Sequence, residues 1–407
     1  VKKLNKDFCL IPFNSISISP RGVIRACCWQ GGPKTIDQPN IKNLDEKIIW
    51  PTEYIVNLQQ KMLSPDNLTS TIPECISCWN QEKNINWSQR KLHNQLWFDK
   101  LNDTELQDLI DNPKITTVDM QFGYLCNNSC LMCTPAQSSH LYNTYIKLEN
   151  LSTDPTQKNF YKKRFNYLDN HKTDWTDDPE SFNKIKNLCT DVTHLKISGG
   201  EPLMNPNLKS FLEFVVSKKV PLECLRITTN GTIYDQDIVD LINRVPNVDI
   251  KISLENLKEK EEFIRWPTVW EEKKANINQF LKNIKSEKTL FVFSSVVQPL
   301  NILDLAEVKE FVLSLDNTKN IKFQLQSPDP DDYISLYHTD NSYLDCYLNL
   351  PENKKLPQVT QFVNNAKNHQ DKQISKQIKF IQDMMFLQKK NLEDVFPIYY
   401  QHHRKYF

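Results

Sequence analysis

The sequence predicts an α/β fold built on a parallel sheet, and three observations carry that prediction. Six β-rich apolar runs recur from about residue 116 onward, stretches with apolar residues at helical spacing separate them, and the chemically informative residues stand at the C-terminal ends of the runs. A parallel connection needs a crossover, usually a helix, so this alternation favours parallel strands in a sheet that is open or curved into a partial barrel.

The arm comes first. Residues 1 to about 100 are read as a separate unit in which "NSISISPRGVIRACCW" gives two short strands around a Pro-Arg-Gly turn and "SQRKLHNQLWFDKL" a helix. The strand runs follow over 116–330: "TTVDMQFGYL", "VTHLKISGG", "LECLRITTNG", "VDIKISLE", "TLFVFSSVVQ" and "IKFQLQS". Their β-branched and aromatic residues fit a pleated surface. "NLKSFLEFVVSKK", "DQDIVDLINRV", "VWEEKKANINQFLKNI" and "LDLAEVKEFVLSL" supply the helical partners. A polar, aromatic stretch near 145–190 reads as a helical insertion able to cover a site. Residues 331–407 read as mainly helical, with "KFIQDMMFLQKKNLEDVF" as an amphipathic packing helix whose Met pair fills core.

Composition narrows the class without naming a partner. Fifty basic residues balance fifty acidic ones, so no global field favours nucleic acid or a membrane surface. No apolar run approaches the roughly 20 residues that span a bilayer, and the first residues lack a signal-peptide core, so the expected location is the cytoplasm. Eleven cysteines, mostly in short C-x-x-C-like groups, then suggest metal binding more than a disulfide framework. Glycine is scarce, with seven in the chain: Gly22, Gly31, Gly32, Gly123, Gly199, Gly200 and Gly231. A sequence that avoids glycine keeps it where the backbone needs positive φ or close approach.

In parallel folds ligands collect at the C-terminal ends of strands, and there stand Cys126 after the first run, Gly199 to Pro202 after the second, Asn230 after the third, and Ser253 and Glu255 at the fourth. "CNNSCLMC" places Cys126, Cys130 and Cys133 in one short loop. Thiolates are soft ligands that suit zinc or an iron-sulfur cluster. A structural zinc wants four closed ligands, the next candidate being His140. A [4Fe-4S] cluster on three cysteines leaves one iron open to another ligand.

The C-x-x-x-C-x-x-C loop directly after the first strand resembles the signature of radical S-adenosylmethionine enzymes. The resemblance implies a partial (β/α)6 TIM-like barrel in which the open iron of a [4Fe-4S] cluster chelates S-adenosylmethionine. There the cluster delivers one electron to the sulfonium, and the 5′-deoxyadenosyl radical released abstracts a substrate hydrogen. "SGGEP" resembles the family's cofactor-binding turn, giving Gly199, Gly200, Glu201 and Pro202. "TTNGT" and "ISLE" resemble the ends of its third and fourth strands, giving Asn230, Ser253 and Glu255. Arg265 stands twelve residues after Ser253, a spacing similar to a cofactor-contacting serine and arginine in sulfatase-maturase-like members. Met132 occupies the place before the third cysteine where an aromatic residue is usual, and its thioether can fill that space.

The arm holds Cys9, Cys27, Cys28, Cys75 and Cys78. Adjacent strand residues point to opposite faces, so one of Cys27 and Cys28 can easily join a site with Cys9, Cys75 and Cys78. Gly22 followed five residues later by Cys27 resembles the hairpin of SPASM and twitch auxiliary-cluster domains, which selects Cys27 and implies a second, auxiliary [4Fe-4S] cluster of the twitch type. Ser88 and Arg90 resemble an S-x-R element of members whose arm precedes the barrel. A structural four-cysteine zinc is the alternative, since ligand spacing does not separate the two. Cys189 and Cys224 read as small buried hydrophobes, and Cys346 as a thiol able to give a hydrogen atom to a substrate radical.

The resemblance implies a radical enzyme of oxidoreductase or peptide-modifying type, acting on a ribosomally made peptide and supplied by a reductant such as flavodoxin or ferredoxin. A small sugar, nucleoside or amino acid is the alternative substrate. A non-enzymatic zinc or iron-sulfur binding module is the alternative class.

Overall fold

The computed structural model describes residues 4, 7–30, 38–45, 49–64, 69–85, 88–165, 174–326 and 333–407. Gly31 and Gly32, and part of the insertion near 145–190, lie outside them. Eight strands carry the fold: β1 (Ser15–Ile18), β2 (Ile24–Arg25), β3 (Thr117–Gln121), β4 (His194–Ser198), β5 (Cys224–Thr229), β6 (Asn247–Ser253), β7 (Lys288–Val296) and β8 (Asn320–Gln326). Their order in the sheet is β2-β1-β3-β4-β5-β6-β7-β8. The six predicted runs are therefore β3 to β8, in chain order, with a helix in each connection. The α/β, partial-barrel class holds, and the order is linear with β2 and β8 at its ends.

The arm hairpin joins this sheet. β1 is antiparallel to β2 but parallel to β3, with Ile16 opposite Val118 and Ile18 opposite Met120. All four β1 residues are buried, the serines as well as the isoleucines, as expected of a strand flanked on both edges.

By contact the chain divides into two compact units, one of residues 1–124, 171–226 and 244–247, the other of 125–170, 227–243 and 248–407. In the first, Phe8, Leu10, Phe13, Leu58, Trp97 and Leu109 build a core beside the hairpin. Each large apolar side chain so buried is worth about 1.5–3 kcal/mol. The helix Asp103–Asp111 that closes this core starts on a complete capping box, the Asn102 side chain accepting from Glu105 N and the Glu105 carboxylate accepting from Asn102 N. A second aromatic cluster of Phe122, Trp175, Phe182 and Phe211 packs edge to face.

Exposure alternates along β4, whose Leu195 and Ile197 are buried while His194, Lys196 and Ser198 are partly exposed. Register places Asp119 beside Lys196 and Gln121 beside Ser198, so β3 and β4 share one polar face. In the second unit, Ile277, Phe280 and Leu281 of the helix Trp270–Asn283 are buried, as are Ile378, Ile381 and Met384 of Ile374–Gln388. Among the described residues no helix is long and apolar enough to cross a membrane.

Candidate functional site

The three-cysteine loop belongs to the second unit and is fixed by its intervening residues. Asn127 Nδ2 donates to Thr232 Oγ1 (2.9 Å) and its Oδ1 accepts from Asn230 Nδ2 (2.9 Å). Asn128 Nδ2 donates to Thr268 Oγ1 (2.9 Å), and its carbonyl accepts from Ser138 Oγ (2.6 Å). Ser129 N donates to Trp266 O (2.6 Å) and Leu131 N to Ile264 O (3.0 Å). Every loop residue from 127 to 129 is thus tied to chain far away in sequence, and the thiols keep the remaining directions.

His140, the fourth ligand a zinc reading would use, has one ring nitrogen engaged. Its Nδ1 meets Ser129 Oγ at 2.7 Å and its ring packs edge-on against Trp266 at 5.3 Å. Burial holds its pKa below the usual histidine value.

The thiols of Cys126, Cys130 and Cys133 lie close enough to interact. Burial first, then the charges of Cys130 and Cys126, push the Cys133 thiol well above its ordinary range. Burial also raises Cys130, opposed by Arg265 and Lys273. A metal reverses this preference, because ligation deprotonates the thiol and spreads its charge.

Arg265 is buried at the tail of the helix Lys258–Ile264, at 8% exposure, and so is not a solvated helix cation. Its Nη1 donates to Cys130 Sγ (3.4 Å) and its Nη2 to Glu255 Oε1 (2.6 Å). Behind it stands a charge-balanced quartet: the Glu261 carboxylate accepts from Lys273 Nζ (2.5 Å) and from the backbone N–H groups of Glu255 and Asn256 (both 2.9 Å), and Lys273 also donates to Ser253 O (2.8 Å). Glu255, Glu261 and Lys273 are each 0% exposed. Glu255 bonds through one oxygen to Arg265 and through the other to Val296 N (2.7 Å). Asn230 is buried and serves the loop through Asn127, while Ser253 and Met132 remain partly exposed.

The Gly-Gly-Glu-Pro turn lies in the first unit. Gly199 has φ +143°, and a Cβ there would stand 2.7 Å from Gly123 O, a contact that a side chain does not tolerate. Gly123, at φ +78°, is equally confined by Asp174, whose carboxylate accepts from Tyr124 N (3.1 Å). Gly200 N donates to Gly123 O (2.9 Å). Two glycine backbones therefore meet directly at the ends of β3 and β4. Glu201 is 0% exposed and caps the short turn Pro202–Met204 by accepting from Leu203 N (3.1 Å).

The arm cysteines also gather within the first unit. Burial raises Cys9, with Cys75, Cys27 and Cys78 adding repulsion. Cys27 is pushed up to about 12 by burial and then by Cys78. Backbone N–H groups point at three sulfurs: Ile11 at Cys9, Trp29 at Cys27, and Arg90 with Gln89 at Cys78. Such donors are what a ligating thiolate uses. The buried Tyr54 hydroxyl, electrostatically coupled to Glu74, Cys27 and Cys75, has no hydrogen-bond partner among the described residues.

For Cys28 the largest electrostatic partner is Asp119, ahead of Cys27. Ser88 and Arg90 both bond to Glu82, and Arg90 also approaches Asp7. This clamps the start of the helix Gln89–Phe98 whose first N–H groups reach Cys78.

Among the described residues no three His, Cys, Asp or Glu side chains close around a single ion's position. The donor chemistry in both places is thiolate, the set that soft iron-sulfur or zinc centres take. Cys189 is fully buried, Cys224 is partly exposed, and Cys346 bonds to His402. Sequence reasoning missed Asn127, Asn128, Glu261 and Lys273, although two polar asparagines between cysteines and an acidic residue four before Arg265 were signals of anchoring.

Residues 120–312 match the family model described as the Radical SAM superfamily. No curated protein matches the chain. Among solved structures the chain is similar to anSMEcpe with bound AdoMet and a Cp18Cys peptide, at 14% identity over 62% of this chain and 61% of that one, with a TM-score of 0.35. It is similar to Streptococcus suis SuiB bound to S-adenosylmethionine, at 13% identity over 89% of this chain and 71% of that one, with a TM-score of 0.38. It is also similar to TYW1 with a lysine-pyruvate adduct, at 15% identity over 56% and 70%, with a TM-score of 0.30. The chain thus covers less than two thirds of the first of these.

Proposed function

We propose, from the match of residues 120–312 to the Radical SAM superfamily model, that the chain is a radical SAM enzyme that cleaves S-adenosylmethionine reductively and modifies a polar substrate, most simply a peptide, by hydrogen abstraction. The observation that carries the reading is the loop of Cys126, Cys130 and Cys133 inside the matched region, with a buried guanidinium donating to one of its sulfurs. When bound there, a [4Fe-4S] cluster and S-adenosylmethionine supply the electron and the 5′-deoxyadenosyl radical.

The protein's own residues hold and shield. Cys126, Cys130 and Cys133 ligate; Asn127, Asn128 and Ser129 keep the loop from collapsing when its thiols ionise. Arg265 stabilises negative charge on the Cys130 sulfur, and Glu255 and Glu261 hold that cation without net charge in the buried quartet. Gly199 and Gly200 present backbone that a ligand can approach closely, while Met132 and Ser253 are the partly exposed groups left to meet a cofactor. Cys9, Cys27, Cys75 and Cys78 hold the auxiliary cluster of a twitch-like arm over residues 1–100, with the barrel at 116–330 and the helical extension at 331–407. The shared polar face of β3 and β4, with Asp119, Gln121, Lys196 and Ser198, favours a substrate with amide or charged groups over an apolar one. A flavodoxin- or ferredoxin-like reductant in the cytoplasm completes the scheme.

The test is iron, sulfide and zinc content after anaerobic purification, followed by dithionite reduction with S-adenosylmethionine and assay of 5′-deoxyadenosine. About eight irons with nucleoside formation supports two four-iron clusters. Zinc alone without turnover overturns the enzyme reading.

A further inference from the structure

The helix Asn341–Leu348 begins on Asp340, whose carboxylate accepts from Ser342 N (2.9 Å) and Ser342 Oγ (2.8 Å). One turn later, on the same face, stands Cys346. Both face His402 of the helix Pro397–His403: Cys346 Sγ lies 3.1 Å from His402 Nε2, and Ser342 Oγ lies 3.2 Å from His402 Nδ1.

Asp340 accepts only, so the Ser342 hydroxyl donates to it. The Ser342 oxygen then accepts Nδ1–H of His402, which leaves Nε2 free to accept the Cys346 S–H at 3.1 Å; the Ser342 carbonyl, 3.5 Å from Sγ, is the other acceptor within its reach. Thiol, base, and a group orienting the base stand in line, the arrangement that activates a nucleophile. Cys346 and His402 are partly exposed, so a reagent can reach them.

Asp340 remains a carboxylate. Although burial pushes it upward, the two Ser342 bonds and Lys405 hold it down at about 2. Burial and the neighbouring Asp345 raise the Cys346 thiol, so sulfur rests as S–H and needs a base to react.

The geometry points to a nucleophilic thiol site at Cys346, with His402 as general base and Ser342 as its positioning residue, that takes small disulfides to form a mixed disulfide. His402 Nε2 removes the S–H proton and the sulfur attacks one sulfur of the disulfide. The Cys346 S–S bond forms as the original S–S bond breaks, and the departing thiolate takes the proton from His402. One disulfide and one thiol give one mixed disulfide and one thiol, so electrons and protons balance. The site uses neither cysteine set described above and stands independently of the radical enzyme reading.

The experiment treats the whole holoprotein with 4,4′-dithiodipyridine and follows the label on each cysteine-bearing peptide by mass spectrometry, with the partly exposed Cys224 as internal standard. Cys346 should react faster than Cys224. His402→Gln should slow Cys346 on the order of tenfold, and Ser342→Ala severalfold, with Ser342→Thr restoring the rate and Cys224 unchanged throughout. A Cys346 rate that stays the same or rises in His402→Gln at an unchanged thermal midpoint overturns the proposal. If His402→Gln does not fold, an unchanged rate in Ser342→Ala overturns it.

Discussion

The two cysteine sets bring thiols together by opposite routes. The loop at 126–133 gathers three thiols from eight consecutive residues, and the protein's effort goes into pinning the loop from outside through Asn127, Asn128 and Ser129. The arm gathers four thiols from three segments, Cys9 lying 18 residues before Cys27 and Cys27 lying 48 before the Cys75/Cys78 turn. Their electrostatics differ as well. The loop has a guanidinium bonded to Cys130 and a buried counter-charge network behind it, whereas three arm sulfurs receive backbone N–H groups. A loop site depends on its supporting side chains; an arm site depends on the fold of its unit.

The sharpest way to break this comparison is to remove ligands from one set only. Replacing Cys126, Cys130 and Cys133 with alanine should abolish 5′-deoxyadenosine formation while about half the iron stays, read by metal analysis and nucleoside assay. Cys75→Ala with Cys78→Ala should do the reverse, removing the arm metal and leaving S-adenosylmethionine cleavage measurable. Loss of all metal from either variant in a folded protein would mean that the sets are not independent.

The supporting charges come next. Lys273→Met removes the nearer of the two cations beside Glu261 and leaves the buried quartet with an excess negative charge, which should cost about 3–5 kcal/mol in denaturant unfolding. Arg265→Met should also lower the midpoint potential of the loop cluster, since a donor to the Cys130 sulfur favours the reduced, more negative state; a potentiometric titration by electron paramagnetic resonance reads it. An unchanged potential would reduce Arg265 to packing.

Gly199→Ala forces a side chain into the left-handed backbone region against Gly123 O and should cost about 1–3 kcal/mol, visible in the thermal midpoint. The last effect is on pH dependence. Burial holds His93 at about 3, where its Nε2 accepts from the Asn14 side-chain amide (2.9 Å) and Asn14 Oδ1 accepts from Trp97 Nε1 (3.2 Å). The folded pKa lies below the unfolded value near 6.5, so the stability of neutral His93 is fully present above pH 6.5 and falls as pH drops toward 3. His93→Gln should flatten that slope in acid unfolding curves.

Much of this was legible in the chain because it is local. The six strands β3 to β8 came from β-rich runs, the helices between them from their spacing, and the three-cysteine loop from residues that are neighbours in sequence. Gly199 stood out because a glycine-poor sequence keeps glycine where backbone crowds backbone. Glu255 shows the limit: its position was marked, but its bonds to Arg265 and Val296 were not, since only packing determines which partners a carboxylate at a strand end meets. Lys273 shows it again, as a lysine on a polar-looking helix that is fully buried through a partner twelve residues away. The hairpin was read correctly as strands, yet its parallel pairing with β3 was not, because a strand's sequence does not say which edge it will meet.

The sequence by itself determined the element types, the loop that offers three thiolates and the turn that needs glycine, because each follows from neighbours along the backbone. Tertiary structure alone decided that Arg265 lies on Cys130 and that Cys346 meets His402. Those are contacts between residues 135 and 56 positions apart, and burial and charge balance in the packed state select them.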